Sequence, residues 1–256
     1  MLSYYGRLSS EVYDIDKPID HSFRDVEFYI DRLNLCRGHI LEPATGTGRM
    51  LIPLLEKGFT VDGFDSSKDM LNICRDNCRK KGLNPKLFEA KMESFIQDTR
   101  YDAIIVPAGT FLLLHQRADS IRALQTFHKH LCTGGRLIID ILMQTDFSTG
   151  TVSTRTWVCS NGDLITLESK VVEVDYINQY TVSHNRYEKW REGVLIQTEL
   201  ERFPLRWYGL EEFKLILEST GFKDIVISSD YKFGQYPSNV KDVITDPYPV
   251  CRTQES

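Results

Sequence analysis

The 256 residues are 41% hydrophobic, enough for one domain to bury a full core or to carry a sizeable insertion beside it. Thirty-one basic against thirty-six acidic residues leave a net charge of −5 with no basic run, which disfavours a nucleic-acid partner with an extended footprint. The N-terminal M-L-S-Y-Y-G-R lacks the apolar core of a signal peptide and no stretch reaches the length of a membrane span, so a cytoplasmic protein with no membrane partner is expected.

Residues 1 to 20 are rich in tyrosine, with Tyr4, Tyr5 and Tyr13, and show no clear period. Ser22 stands where it would cap a helix running to about Leu35, in which Phe23, Val26, Phe28, Ile30 and Leu33 follow a mostly helical spacing. Cys36 is the first of six cysteines, with 74, 78, 132, 159 and 251; they lack the partner spacing of a zinc knuckle and read as reduced thiols, so no metal is expected. The chain is organised around residues 40 to 50, I-L-E-P-A-T-G-T-G-R-M. Ala44, Gly46 and Gly48 fall at alternate positions after a short apolar run, as when a buried strand ends and the backbone turns sharply beneath a ligand. Met50, Leu51, Leu54 and Leu55 then form the apolar face of a helix. A dinucleotide fingerprint fails in both registers, because Arg49 or Leu51 stands where the third glycine belongs, and the Gly-Lys-Ser/Thr ending of a nucleotide phosphate loop is absent.

These residues resemble the glycine-rich motif of the class I S-adenosylmethionine-dependent methyltransferases, an acid followed by three alternating glycines, with Glu42, Ala44, Gly46 and Gly48 at the matching positions. Ala44 departs at the first glycine, a change that a negative φ would accommodate. The resemblance implies S-adenosyl-L-methionine as cofactor, S-adenosyl-L-homocysteine as product, and Thr45 and Arg49 among the cofactor-binding residues of the turn. It also matches Tyr13-Asp14 to a pair in which the tyrosine closes over the cofactor; simple packing of that ring onto the domain is the alternative. Residues 59 to 65, F-T-V-D-G-F-D, form a short strand ending in Asp65, placed to accept hydrogen bonds from two ribose hydroxyls, a feature that NAD enzymes share. The following S-S-K-D-M-L resembles the family's Ser-x-x-Met-Leu segment, which brings in Ser66 and sets Met70 against the adenine. Residues 86 to 95 read as a third strand and its exit. Lys91 stands where the family often has an acid that accepts from the adenine amino group; lysine has no acceptor, so that bond is lost or passes to Glu93, with Met92 an adenine neighbour.

The fourth strand, residues 101 to 109, is continuously apolar, as suits a central parallel strand, and its exit Pro107, Ala108 and Gly109 is expected beside the glycine turn, lining the far side of the methyl donor. Phe111, Leu114 and His115 then face the acceptor or the core. A helix from about Arg117 to Leu131 leads into L-C-T-G-G-R-L, which resembles the family's Gly-Gly strand start, with Gly134 and Gly135 as helix stop and turn. From about 150 the pattern becomes four antiparallel strands, with hairpins at Asn161-Gly162 and Arg191-Glu192-Gly193. An amphipathic helix over 210 to 222, a strand over 223 to 228 and a last hydrophobic segment at 248 to 251 complete the chain. The expected fold is α/β: a Rossmann-like seven-stranded, mostly parallel sheet in the order 3-2-1-4-5-7-6, helices on both faces, and a small antiparallel β insertion. The S-adenosylmethionine-binding domain would comprise 1–149 and 209–256, and the insertion 150–208 would be a lid, a substrate surface or a homodimer interface.

The chemistry implied is an in-line displacement in which the protein holds an acceptor against an already activated methyl group. A base is needed only where the acceptor must lose a proton, and Tyr13, His115 and Tyr208 are candidates, with Tyr4, Tyr5 and Arg206 also over the mouth. Arg206 and Trp207 either bind an anionic or aromatic substrate or pack the insertion onto the domain. The Asn/Asp-Pro-Pro-Tyr/Phe exit of the resembling DNA and protein-amide methyltransferases is absent, which favours a small-molecule acceptor; a protein or tRNA acceptor stays open through the inserted sheet. The departures at Ala44 and Lys91 also leave open a cofactor-binding module without catalysis, and an NAD(P)-dependent oxidoreductase shares Asp65 but not the glycine spacing.

Overall fold

The computed structural model describes residues 5–145 and 147–236 and the backbone of 248–253, so Tyr4 and the side chain of Cys251 lie outside the described residues. Seven strands form one sheet: β1 (His39–Pro43), β2 (Thr60–Asp65), β3 (Leu87–Glu89), β4 (Tyr101–Val106), β5 (Leu131–Ile139), β10 (Phe222–Ser228) and β11 (Tyr248–Thr253). Their order is β3-β2-β1-β4-β5-β11-β10, and β11 runs antiparallel to both its neighbours, the arrangement expected from the sequence.

Period-two alternation in the central strands explains why both faces are covered. Ile40, Val61, Ala103, Ile105 and Ile138 point to one side, where they meet α2 (Asp25–Leu33), α3 (Leu51–Glu56) and α4 (Lys68–Lys80) through residues such as Tyr29, Leu33, Leu54 and Cys74. Leu41, Phe64, Ile104, Val106, Leu137 and Ile139 point to the other, against Leu124 and Phe127 of α5 (Arg117–His130) and Phe213 and Leu217 of α6 (Leu210–Ser219).

The insertion is a separate four-stranded antiparallel sheet, β6 (Val152–Val158), β7 (Leu164–Asp175), β8 (Tyr180–Arg191) and β9 (Val194–Arg206), in sequential order. Glu192 and Gly193 both take positive φ, 48° and 79°, the geometry that lets a two-residue turn match the twist of its strands. One face of this sheet packs on α1 (Arg7–Asp16): Leu8 and Val12 bury themselves against Trp157, Ile165 and Tyr187.

Several local expectations are corrected. The tyrosine-rich start contains the regular helix α1, whose apolar face is covered mainly by the distant inserted sheet. Ser22 does not cap α2; the helix begins at Asp25, which is drawn inside by Arg49 and accepts the amides of Phe23 and Val26. Gly134 and Gly135 are not a helix stop: α5 ends at His130 and β5 starts at once, the pair forming an irregularity where Tyr101 opposes Leu131 but Ala103 opposes Arg136. A Cβ on Gly135 would stand 2.9 Å from the Cys132 carbonyl, which explains the glycine there. β3 is only three residues long, and the fourth strand stops at Val106, followed by a 3-10 turn over Thr110–Leu113.

Candidate functional site

The carboxyl ends of β1, β2 and β4 meet beneath one cavity of about 500 Å³, within the range of small-molecule sites. The turn after β1 forms its floor. Ala44 has φ +52°, against the negative angle expected, and an alanine in this left-handed region costs roughly 1–2 kcal/mol. Buried hydrogen bonds hold the strained turn in place: Thr45 Oγ1 donates to Glu42 Oε2 at 3.0 Å, Thr45 N to the Phe64 carbonyl at 2.9 Å and Gly46 N to Asp65 Oδ2 at 3.0 Å. Gly46 lies under the Tyr13 ring, where an added Cβ would sit 3.6 Å from Cε1. Gly48 faces α4 instead, and a Cβ there would be 3.0 Å from Cys74 Sγ.

Asp65 ends β2 at the cavity wall, its Oδ1 accepting Ser67 N at 2.8 Å. Burial raises its carboxyl pKa, and the amides of Ser67, Gly46 and Ser66 oppose that rise. Ser67 caps α4 by accepting the Met70 amide and donates its own proton to the Tyr5 carbonyl at 2.7 Å. Phe64, Met70, Ala90 and Met92 make an apolar wall beside Asp65, with Ser66, Lys91 and Glu93 at its rim.

Behind the floor lies a buried polar cluster. Glu42 is 2% exposed, and burial pushes its carboxyl up to about 8 despite the Thr45 hydroxyl and the nearby Arg49 charge. Arg49, 4% exposed, is ion-paired through Nη2 to the buried Asp25, while its Nη1 and the Thr47 hydroxyl have no hydrogen-bond partner among the described residues. Burial raises the Tyr13 hydroxyl pKa too, with the Arg49 cation working the other way.

The cavity is also lined by Thr110, Leu113, Leu114, His115 and Asp119, which follow β4 in the chain, and by Tyr5. Burial first, then the charges of Arg202 and Arg206, lowers the His115 pKa, favouring the neutral imidazole. Its ring lies edge-on to Tyr180, 5.6 Å away, and the Arg206 guanidinium donates to its backbone carbonyl at 2.9 Å.

Of the residues singled out from sequence, Tyr13, Ala44, Gly46, Asp65, Ser66, Met70, Lys91, Met92, Glu93 and His115 come together on the cavity. Glu42, Thr45, Gly48 and Arg49 stand outside its lining, beneath the turn. Pro107, Ala108 and Gly109 do not line it either: Ala108 gives its amide to the buried Asp140 at 2.7 Å, and Gly109 packs against Leu142. Tyr208 is in the core, 2% exposed, donating to Ser120 Oγ at 2.8 Å and packed on Phe111 and Phe213, so it is not available as a base at the mouth. Arg206 is buried and Trp207 packs on Phe147 and Tyr176, the packing alternative. Ser67 and Asp119 were missed. Ser67 was readable as the helix cap before Met70, whereas nothing in the local pattern distinguishes Asp119 from a solvated acid at the start of α5.

Residues 40–135 match the family described as "Methyltransferase domain". A glycine/sarcosine N-methyltransferase of Halorhodospira halochloris is 36% identical over 118 residues, the match spanning 44% of each chain. A protein of the same description from Aphanothece halophytica is 29% identical over 201 residues, 75% of this chain and 69% of the relative. Among solved structures, an S-adenosylmethionine-dependent methyltransferase from Clostridium acetobutylicum ATCC 824 superposes with a TM-score of 0.74 at 17% identity, covering 96% of this chain and 98% of the other.

Proposed function

We propose that this chain, whose residues 40–135 match a methyltransferase domain, is a class I S-adenosylmethionine-dependent methyltransferase that moves the methyl group of S-adenosyl-L-methionine onto an amine nitrogen of a small molecule. When bound, that cofactor supplies a methyl group activated by its positively charged sulfur. The residues fit such a ligand: Asp65 keeps acceptor capacity for ribose hydroxyls, and Phe64, Met70, Ala90 and Met92 offer an apolar slot for a base. Tyr13 covers Gly46 and excludes water from the floor. In this reading residues 1–149 and 209–256 make the cofactor domain, and 150–208 is an insertion whose Tyr180 and Arg206 lie against His115.

The observation that carries the amine reading is the acceptor end of the cavity. His115, held towards its neutral form, takes the proton that the nitrogen must lose before it attacks, and Asp119, whose carboxylate is paired with Arg122, adds an acidic group to the same lining. Thr110, Leu113 and Leu114 add a hydroxyl and two apolar side chains against which a small acceptor would rest. The N-methyltransferase activity named for the two glycine/sarcosine relatives supports the same atom type. The test is calorimetric titration with S-adenosylmethionine and S-adenosylhomocysteine, followed by transfer of a labelled methyl group to glycine, sarcosine and an amino sugar, each set against its hydroxyl analogue. Label in the amines and not the alcohols is expected. Transfer to the alcohols would overturn the choice of nitrogen, and binding of both sulfur ligands without transfer to any acceptor offered would favour a binding module.

A further inference from the structure

We propose that Glu199 of β9 is a positioning residue that holds α1 over the cavity, making the inserted sheet the clamp that retains the cofactor. The first turn of α1 receives no capping bond from its own side chains, since its N-cap position is Gly6. The missing acceptors come from the inserted sheet. Glu199 Oε2 accepts Leu8 N at 2.9 Å, and its Oε1 accepts Ser9 N at 3.2 Å and the Ser9 hydroxyl at 3.1 Å. A carboxylate on these amides meets the positive end of the helix as well as its unsatisfied donors. Glu201, also of β9, accepts Tyr5 N at 2.7 Å just ahead of the helix. Gly6 is what lets Glu199 reach: a Cβ there would stand 2.8 Å from the carboxyl carbon.

The rest of α1 continues the attachment. Lys189 pairs with Glu11 at 2.7 Å, Trp157 Nε1 donates to Asp16 at 3.2 Å, and Leu8 and Val12 are buried against the sheet. The other side of α1 rests on the cavity floor. Tyr5 O accepts Ser67 Oγ, Asp14 accepts Asn77 Nδ2 at 2.9 Å, and the rings of Tyr5 and Tyr13 line the cavity, edge to face at 5.8 Å. A molecule in the cavity is covered on one side by these two rings, and the start of α1 is held by a residue far away in the chain. Losing the cap frays the turn next to Tyr5 and shortens the time for which the cover stays closed.

The proposal rests on the reading of this cavity as the cofactor site. Its test compares the full-length wild-type chain with E199A, E199Q and G6A, measuring S-adenosylhomocysteine dissociation by stopped-flow displacement and amide hydrogen exchange across α1, β4 and β5. E199A is expected to speed dissociation and first-turn exchange in α1 by roughly tenfold, the usual effect of removing a helix cap, with β4 and β5 unchanged. G6A should follow it, because its methyl displaces the carboxylate, and E199Q, which retains one acceptor oxygen, should fall between. Wild-type dissociation in both E199A and G6A overturns the proposal alone, as does faster exchange in β4 and β5 to the same degree as in α1. No binding of S-adenosylhomocysteine by the wild-type chain overturns the cofactor reading, and the clamp with it.

Discussion

Replacing Glu42 by glutamine removes a titration that the fold makes unfavourable. The carboxyl is buried under the glycine turn, and burial lifts its pKa from 4.5 to about 8. Between those values the folded chain holds a proton that the unfolded chain has released, so the stability this group contributes is fully present below pH 4.5 and is lost as pH rises towards 8. The slope is about 1.4 kcal/mol per pH unit, so the wild-type protein should lose about 2.7 kcal/mol relative to Glu42→Gln between pH 5.5 and 7.5. Glutamine is a fair replacement because its carbonyl can still accept from Thr45 Oγ1, as Glu42 Oε2 does at 3.0 Å. Urea unfolding of both proteins at the two pH values, analysed by linear extrapolation, measures the difference directly. A wild-type minus variant difference that is flat with pH, or that grows in favour of the wild type, would show that Glu42 is ionised in the fold and refute the reasoning.

The same proton should appear in binding. A cationic ligand above the turn favours ionised Glu42, so uptake of S-adenosylmethionine at pH 7 should release a fraction of a proton and tighten as pH rises to about 8; titration in two buffers of different ionisation enthalpy reads this, and Glu42→Gln should release none. Asp65→Asn sets an amide group against one of the two backbone N–H donors that Asp65 now accepts, and S-adenosylhomocysteine affinity should fall by about 1.5–3 kcal/mol; calorimetry giving affinity within twofold of wild type would count against the ribose role. Ala44→Gly relieves a φ of +52° and should be neutral or stabilising by about 1 kcal/mol in thermal melts, whereas Gly48→Ala, at φ +93° and against Cys74, should destabilise by roughly 1–3 kcal/mol. Asp25→Asn leaves the buried Arg49 cation without its counter-charge and should cost about 3–5 kcal/mol, lowering the melting midpoint by roughly 6–20 °C.

The central sheet was readable because its signals are local. The apolar strand ends, the small residues at 44, 46 and 48, and the acid closing β2 each carry their meaning within a few residues. What was not readable depends on partners far away in the chain. α1 looks unpatterned because Leu8 and Val12 are buried by Trp157, Ile165 and Tyr187, and its cap comes from Glu199. Asp25 reads as an ordinary acid at a helix start until Arg49 is seen beside it. Tyr208 reads as a polar residue leaving a sheet, yet Ser120 on α5 satisfies its hydroxyl and lets it enter the core. Gly134 and Gly135 carry the sign of a helix stop, but the helix is already over, and their small size serves a strand irregularity.

Two of the strained positions share a physical cause. Ala44 and Ala108, following the neighbouring strands β1 and β4, both take left-handed φ, 52° and 58°, without being glycine. Each is held by a buried carboxylate: Asp65 takes the Gly46 amide beside the first, and Asp140, itself fixed by the Tyr29 hydroxyl at 2.6 Å, takes the Ala108 amide. Strained turns persist only where the surroundings over-determine them, and here the over-determination falls at strand ends beneath the cavity. The floor is therefore rigid. The cover differs in kind, because α1 is tied by Glu199, Glu201 and Lys189 side chains to a sheet outside the core. A site built in this way separates two properties: substitutions in the floor should change affinity through the ligand's contacts, and substitutions at the seam between α1 and the sheet should change how fast the ligand exchanges.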